Sequence, residues 1–136
     1  MKANSHISKP TFISTDSTFC LYQGDCNAFL LQMKETFDLI FADPPYFLSN
    51  NSLSIQGGKI VSVNKGEWDK GNDIDDIDRF NMEWIANAKV ALKITGSIMI
   101  SGTYHNIFSL GRALQKLDFK VLNIITWQKT NPPPNF

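Results

Sequence analysis

The run Phe37-Asp38-Leu39-Ile40-Phe41-Ala42 stops at Asp43-Pro44-Pro45-Tyr46, and this junction constrains the chain more than any other feature. A nearly continuous apolar run of that length reads as a strand covered on both faces. Neither proline has a backbone N–H to donate to a neighbouring strand, so the strand cannot continue through them. Asp43 is thereby placed at the strand's carboxyl tip.

The rest of the chain arranges itself around that strand. Residues 1–18 are polar, hold Pro10, and read as an irregular amino-terminal arm. Phe19-Cys20-Leu21-Tyr22 reads as a short strand, Gly24 as a turn and Asp25 as the cap of a short helix with Phe29, Leu30 and Met33. After the proline pair, Phe47 to Asp73 carries Gly57, Gly58, Gly66 and Gly71 and has little periodicity outside Lys59 to Val63, which predicts a long functional or mobile loop. Ile77, Phe80, Trp84, Ile85, Ala88, Ala91 and Leu92 then mark one face of a helix that starts among Asp residues, with Gly96 beyond its end. Ser97 to Ser101 reads as a buried strand, Ile107, Leu110, Leu114 and Leu117 as a second helical face, and Lys120 to Gln128 as a third strand. Strand and helix alternate, which predicts an α/β fold with a mostly parallel sheet and helices on its faces. Such sheets bind ligands beyond the carboxyl ends of their strands. Three segments meet that condition: Asp43 to Tyr46, Ser101 to His105, and Trp127 to Lys129.

Composition narrows the function classes. At 136 residues with 43% hydrophobic and 19% charged side chains, the chain is one folded domain or part of one, not a disordered segment. There is no apolar run of membrane-span length and no apolar stretch at the start, so the expected place is the cytoplasm, away from membranes. Cys20 and Cys26 are expected to be reduced packing residues, and with His6 and His105 they form no familiar metal-binding spacing, so no metal is expected. Charge balances overall but is unevenly spread. Residues 67–83 hold seven acids against two bases, whereas Trp84 onward holds six bases against Asp118 alone. That later part suits phosphates better than the acidic stretch does, although an acidic helix start followed by surface lysines accounts for the same counts.

Asp43-Pro44-Pro45-Tyr46 has a specific chemical use. Each proline restricts the residue before it to extended conformations, which preorganises the Asp43 carboxylate and the Pro44 carbonyl as neighbouring acceptors. An exocyclic amine on a nucleobase offers two N–H donors and a lone pair delocalised into its ring. Two acceptors gripping those hydrogens favour a pyramidal nitrogen able to attack, and favour the cation that forms. Tyr46 offers a flat face for a flipped base. A strand followed by a rigid turn explains the same four residues without chemistry.

The surrounding motifs add to that reading. Phe37 to Tyr46, Phe47-Leu48-Ser49-Asn50, Gly58 to Lys70, Ser101-Gly102-Thr103-Tyr104-His105-Asn106, Ile125 to Lys129 and Asn131-Pro132-Pro133-Pro134-Asn135 together resemble the amino-terminal half of the β-group DNA adenine-N6 methyltransferases, over residues 19–136. The resemblance implies a Rossmann-like, S-adenosylmethionine-dependent methyltransferase fold, here incomplete, with residues 19–136 as its catalytic portion. It implies transfer of a methyl group from S-adenosylmethionine to adenine N6 in DNA, within a restriction-modification system. By position, Asp43 and the Pro44 carbonyl hold the amine and border the cofactor, while Pro45 and Tyr46 shape and stack the pocket. Asp25 and Cys26 are weaker candidates for cofactor contact; a plain helix cap and a packing thiol are the competing readings. Trp68 either closes over the site or anchors its loop. Lys129 either meets a phosphate or is merely exposed. His105 reads as a structural hydrogen-bonding group without a catalytic role.

The chain departs from the family in one respect. The family's Phe-x-Gly-x-Gly cofactor loop falls in its carboxyl-terminal half, and none of the eight glycines here is separated from another by a single residue. The expectation is a catalytic half lacking that loop and the target-recognition region, which works with a carboxyl-terminal partner half or as a homodimer and alone binds S-adenosylmethionine weakly. Cytosine-N4 methylation poses the same amine chemistry and is the alternative activity, though that branch more often opens the motif with Ser. A non-catalytic remnant binding nucleic acid or a partner is the alternative class. With arginine only at positions 79 and 112, the chain has little with which to read guanine edges.

Overall fold

The structure, a computed structural model, describes residues 9–47, 53–56, 59–62, 73–128 and 130. Trp68, Lys129, the loop glycines and the Asn131 to Asn135 motif lie outside the described residues. The elements in order are β1 (Phe12–Ile13), β2 (Cys20–Leu21), α1 (Cys26–Leu30), β3 (Phe37–Ala42), β4 (Leu53–Gln56), β5 (Lys59–Ser62), α2 (Ile74–Ala91), β6 (Leu92–Ile100) and α3 (Ile107–Lys116). Two compact units divide the chain, one of Met1–Phe41 with Glu83–Met99 and one of Ala42–Met82 with Ile100–Phe136.

In the first unit, β1 and β2 pair antiparallel, Phe12 opposite Leu21 and Ile13 opposite Cys20, so part of the stretch read as an irregular arm is a hairpin. Its turn is tied by Asp16, whose carboxylate accepts from Ser14 Oγ at 2.6 Å and from Thr18 Oγ1 at 2.9 Å. Asp25 caps α1 as expected, accepting from the Asn27 backbone N–H at 2.8 Å. The core is the inward stripe of α2 and the residue after it: Trp84, Ile85, Ala88, Ala91 and Leu92 are all buried. β3 falls where the apolar run predicts it, and it pairs with β6. The pairing is parallel: Glu35 N–H and Thr36 N–H bond Val90 and Ala91 carbonyls before the strands, and Ser101 N–H bonds the Ala42 carbonyl at their far end.

Several expectations give way here. α2 passes into β6 at Leu92, so Gly96 lies inside a strand and does not stop the helix. Its role is steric, since a Cβ at Gly96 would sit 3.0 Å from the Phe37 carbonyl oxygen and 3.0 Å from the Lys93 carbonyl oxygen. β3 is not covered on both faces, because Leu39 and Phe41 are exposed. Cys20 and Cys26 are free and exposed, so neither packs in a core.

In the second unit, β4 and β5 form an antiparallel hairpin with Leu53 opposite Ser62, inside the stretch read as a loop. The start of α2 is capped by Asp73, which accepts from the N–H groups of Asp75 and Asp76 at 2.7 and 3.0 Å. α3 buries Leu110 and Ala113, and it ends where Asp118 turns left-handed, at φ 57°, so that Phe119 N–H reaches the Leu114 carbonyl. Lys120 to Gln128 is not a strand: no neighbour among the described residues pairs with it, and Ile124, Ile125 and Trp127 are exposed. A strand exists by virtue of its partner, so sequence propensity alone does not make one. The described strands accordingly form three two-stranded sheets, not one continuous sheet. No helix among the described residues is long and apolar enough to cross a membrane.

Candidate active site

Within the second unit, hydrogen bonds join the strand-end segment Asp43 to Tyr46 to Ser101, which opens the segment Ser101 to His105, and to Asn106 directly after it. Asp43 follows β3 directly and is exposed, while Pro44, Pro45 and Tyr46 are half-buried. Asp43 Oδ1 is met by two hydroxyl groups. The Tyr46 O–H donates to it at 2.5 Å, and the Ser101 O–H donates to it from the end of β6. Ser101 Oγ also lies 3.3 Å from the Ala42 carbonyl oxygen and 3.2 Å from the Tyr46 hydroxyl. Two protons cannot fill all of these contacts, and the carboxylate is the strongest acceptor present, so both hydroxyls point at Asp43. The bond to Asp43 is the main reason that the Tyr46 phenol is pushed above its ordinary value, with the Ser101 contact acting in the opposite direction.

Behind the carboxylate lies a buried polar chain. Asn106 and Asn81 are fully buried, and Ser109 is nearly so. Asn106 Nδ2 donates to the Pro45 carbonyl at 3.1 Å. Its Oδ1 accepts from Asn81 Nδ2 at 2.6 Å, and Asn81 Nδ2 also donates to Ser109 Oγ at 2.9 Å. Ser109 donates onward to Asp78 at 2.5 Å, and Asp78 pairs with Arg112. Asn106 occupies the N-cap position of α3 but makes no side-chain capping bond, because its amide is turned to Pro45 and Asn81. Just beyond Tyr46, Phe47 adopts a left-handed φ of 55° and packs edge-on against Phe80 at 5.6 Å between ring centroids.

The site therefore contains three contributors that the strand-end motif does not announce: Ser101, Asn106 and Asn81. A signal for Asn81 does exist in the sequence, since it falls four residues before Ile85 on the apolar stripe of α2, where a polar residue needs a buried partner. The His105 ring lies against Tyr104, with ring centroids 4.0 Å apart and the planes tilted by 37°. Asp25 and Cys26 belong to the first unit. The Asp25 carboxylate serves as the α1 cap, and the Cys26 thiol is pushed up by partial desolvation and then by the adjacent Asp25 charge. A thiol shifted that way is a weak nucleophile.

A family model described as DNA methylase matches residues 37–136, a span that holds β3, the strand-end motif and the whole polar chain behind it. The sequence is 55% identical over 129 residues to the Type II methyltransferase M2.MboI of Moraxella bovis, covering 94% of this chain and 47% of that protein. It is 54% identical over 116 residues to the Type II methyltransferase M2.DpnII of Streptococcus pneumoniae, covering 85% of this chain and 43% of that protein. Against the Type II methyltransferase M.HinfI of Haemophilus influenzae it is 44% identical over 119 residues, covering 85% and 33%. The chain thus spans less than half the length of these curated relatives.

Proposed function

The chain belongs to the N6/N4 DNA methylase family, and on that footing we propose that it carries the amine-binding part of a DNA adenine-N6 methyltransferase that serves a restriction-modification system. Its frame is proposed to be the Rossmann-like methyltransferase fold, of which residues 19–136 are the catalytic portion. The observation that carries the proposal is the setting of Asp43: a carboxylate directly after a strand, held by two hydroxyl donors on one oxygen and followed by a proline pair.

The reaction asks the chain to hold a neutral amine and then a cation. Adenine N6 has two N–H donors, for which the Asp43 carboxylate and the Pro44 carbonyl are the two acceptors. Nitrogen gains positive charge as its new bond forms, so an anionic acceptor binds the transition state more tightly than the ground state. Ser101 and Tyr46 keep the carboxylate from rotating, which lowers the reorganisation needed at that moment. Asp43 is also the acceptor in place to take up the proton that the methylated amine sheds. Pro45 and the Tyr46 ring form the wall against which an extruded base stacks.

S-adenosylmethionine supplies, when bound, a methyl group made electrophilic by a sulfonium centre. The oxygen-rich strand ends suit such a cation: besides Asp43 and Pro44, the buried Thr103 Oγ1, on the turn after β6, has no hydrogen-bond partner among the described residues. Asp43 and Pro44 are the proposed cofactor contacts within the second unit. DNA is the proposed partner, and a further protein segment or a second copy completes the enzyme.

The test is transfer of labelled methyl to DNA by the assembled enzyme, followed by nucleoside mass spectrometry. N6-methyladenine is expected, and Asp43→Ala should cut its formation by roughly a hundredfold to a thousandfold while the protein stays folded. N4-methylcytosine as product would move the assignment to cytosine, and DNA binding without transfer would leave a non-catalytic binding module.

A further inference from the structure

The two prolines create a structural problem that the buried polar chain solves. Pro44 and Pro45 have no N–H, so the middle of the segment that presents the Asp43 carboxylate and the Pro44 carbonyl offers no backbone donor of its own. At the two prolines the backbone can be held by hydrogen bonds only through donors brought to their carbonyls. Asn106 brings one, to the Pro45 carbonyl.

We propose that Asn106, held in turn by Asn81, is a positioning residue that fixes the Pro45 carbonyl and thereby sets the Asp43-Pro44-Pro45-Tyr46 turn in its amine-gripping orientation. The inference rests on the amine-methylation reading above. With both proline φ angles locked by their rings, the backbone rotation at Pro45 is the main freedom left between the Pro44 carbonyl and Tyr46. A bond to the Pro45 oxygen fixes that rotation, and the position of Tyr46 follows, which brings its hydroxyl onto Asp43.

The polarity of the chain admits one arrangement. A carbonyl only accepts, so the end of Asn106 facing Pro45 is the NH2 group, and its other end is an oxygen needing a donor. Asn81 supplies that donor, and its second N–H goes to Ser109, whose proton goes to Asp78. Every step has one donor and one acceptor, and no member can be turned over without opposing two like groups. Such a fully satisfied buried network specifies one geometry, and a half-satisfied one is costly. Burying two whole asparagine side chains costs free energy that only their hydrogen bonds offset.

That comparison supplies the variant. Asn81→Leu with Asn106→Leu replaces both partners by apolar groups of similar shape, which keeps the packing and removes the tether to Pro45. In the assembled enzyme, kcat is expected to fall roughly tenfold to a hundredfold with KM for S-adenosylmethionine within about twofold of wild type, the signature of a misaimed acceptor. A second readout needs no turnover: the ultraviolet titration of Tyr46, isolated by difference against Tyr46→Phe, should move back towards the ordinary tyrosine range as the phenol leaves Asp43. A folded double variant with unchanged kcat and unchanged Tyr46 titration overturns the proposal. If the wild type transfers no methyl group at all, the functional reading fails while the Tyr46 titration still decides the tether. Should the leucine pair not fold, Asn106→Ser, too short to reach Pro45, is read by the same two measurements.

Discussion

Removing the Ser101 hydroxyl tests most directly how Asp43 is held. Ser101→Ala takes away one of the two donors to Asp43 Oδ1 and leaves the other, Tyr46, in place. A hydrogen bond to a charged group contributes about 1.5–3 kcal/mol. The Asp43 residue is exposed and solvent replaces part of what is lost, so the lower end applies, about 1.5 kcal/mol. If that energy is spent on aiming the carboxylate in the transition state, kcat falls about tenfold, since about 1.4 kcal/mol is a factor of ten in rate. Binding of S-adenosylmethionine and DNA, which gains little from the rotation of one carboxylate, stays within about twofold. The assay is steady-state methyl transfer with both KM values measured, for Ser101→Ala, Tyr46→Phe and the double variant. The two hydroxyls share one oxygen, so their losses should not add: the double variant leaves Oδ1 without either donor and falls further than the product of the single effects. Tyr46 gives an independent sign. Ser101 opposes the rise of the Tyr46 phenol, so in Ser101→Ala that phenol should titrate higher still. Wild-type kcat in Ser101→Ala, or a Tyr46 titration that moves down, would refute the reasoning.

The Tyr46 shift also predicts a stability profile. A group raised in the folded state contributes stability that is whole below the ordinary tyrosine range and is lost as pH climbs through the raised value, so thermal melts should show an alkaline loss that Tyr46→Phe lacks. Asp16 behaves in the opposite sense. Ser14 first and Thr18 next hold its carboxyl below the ordinary range, so the β1–β2 hairpin keeps their contribution above that range and loses it as pH falls through the depressed value. Lower protection of the Thr18 and Phe19 amides in acid, measured against their intrinsic exchange at each pH, with Asp16→Ala already poorly protected at neutral pH, is the check. Gly96→Ala presses a methyl group against two backbone oxygens that cannot swing aside; it should cost about 1–3 kcal/mol and lower Tm by roughly 5–15 °C, read by calorimetry.

Legibility from sequence followed the range of the forces involved. β3, α1, α2 and α3 were readable because each is announced locally, by an apolar run, a cap or a stripe with period near 3.6. The Lys120 to Gln128 segment has the same Val, Ile and Thr content as a strand, yet what decides a strand is a neighbour, and a chain's own residues do not state that. The start of β6 is not legible in the sequence because Gly96 reads as a helix stop, whereas its work is to let the Phe37 carbonyl come close. The site divides the same way. Asp43 to Tyr46 is contiguous and could be read; Ser101 lies fifty-eight positions from Asp43 and Asn106 sixty-one from Pro45, so only the fold unites them.

The proline pair explains why the site needed those distant residues. Pro-Pro stiffens the segment but strips it of donors, so rigidity within the segment comes with loss of attachment to its surroundings. Among the described residues, attachment from elsewhere in the fold includes Ser101 on the Asp43 carboxylate, Asn106 on the Pro45 carbonyl and, just after the segment, Phe80 edge-on against the Phe47 ring. Two of these donors sit on one short stretch, at the end of β6 and the start of α3, so the placement of that stretch sets both the carboxylate and the carbonyl that follows it. A shift of α3 along its axis would therefore disturb both acceptors together. Substitutions in the α3 face that meets α2, Ser109 among them, should accordingly act on kcat through the motif although they touch neither base nor methyl donor.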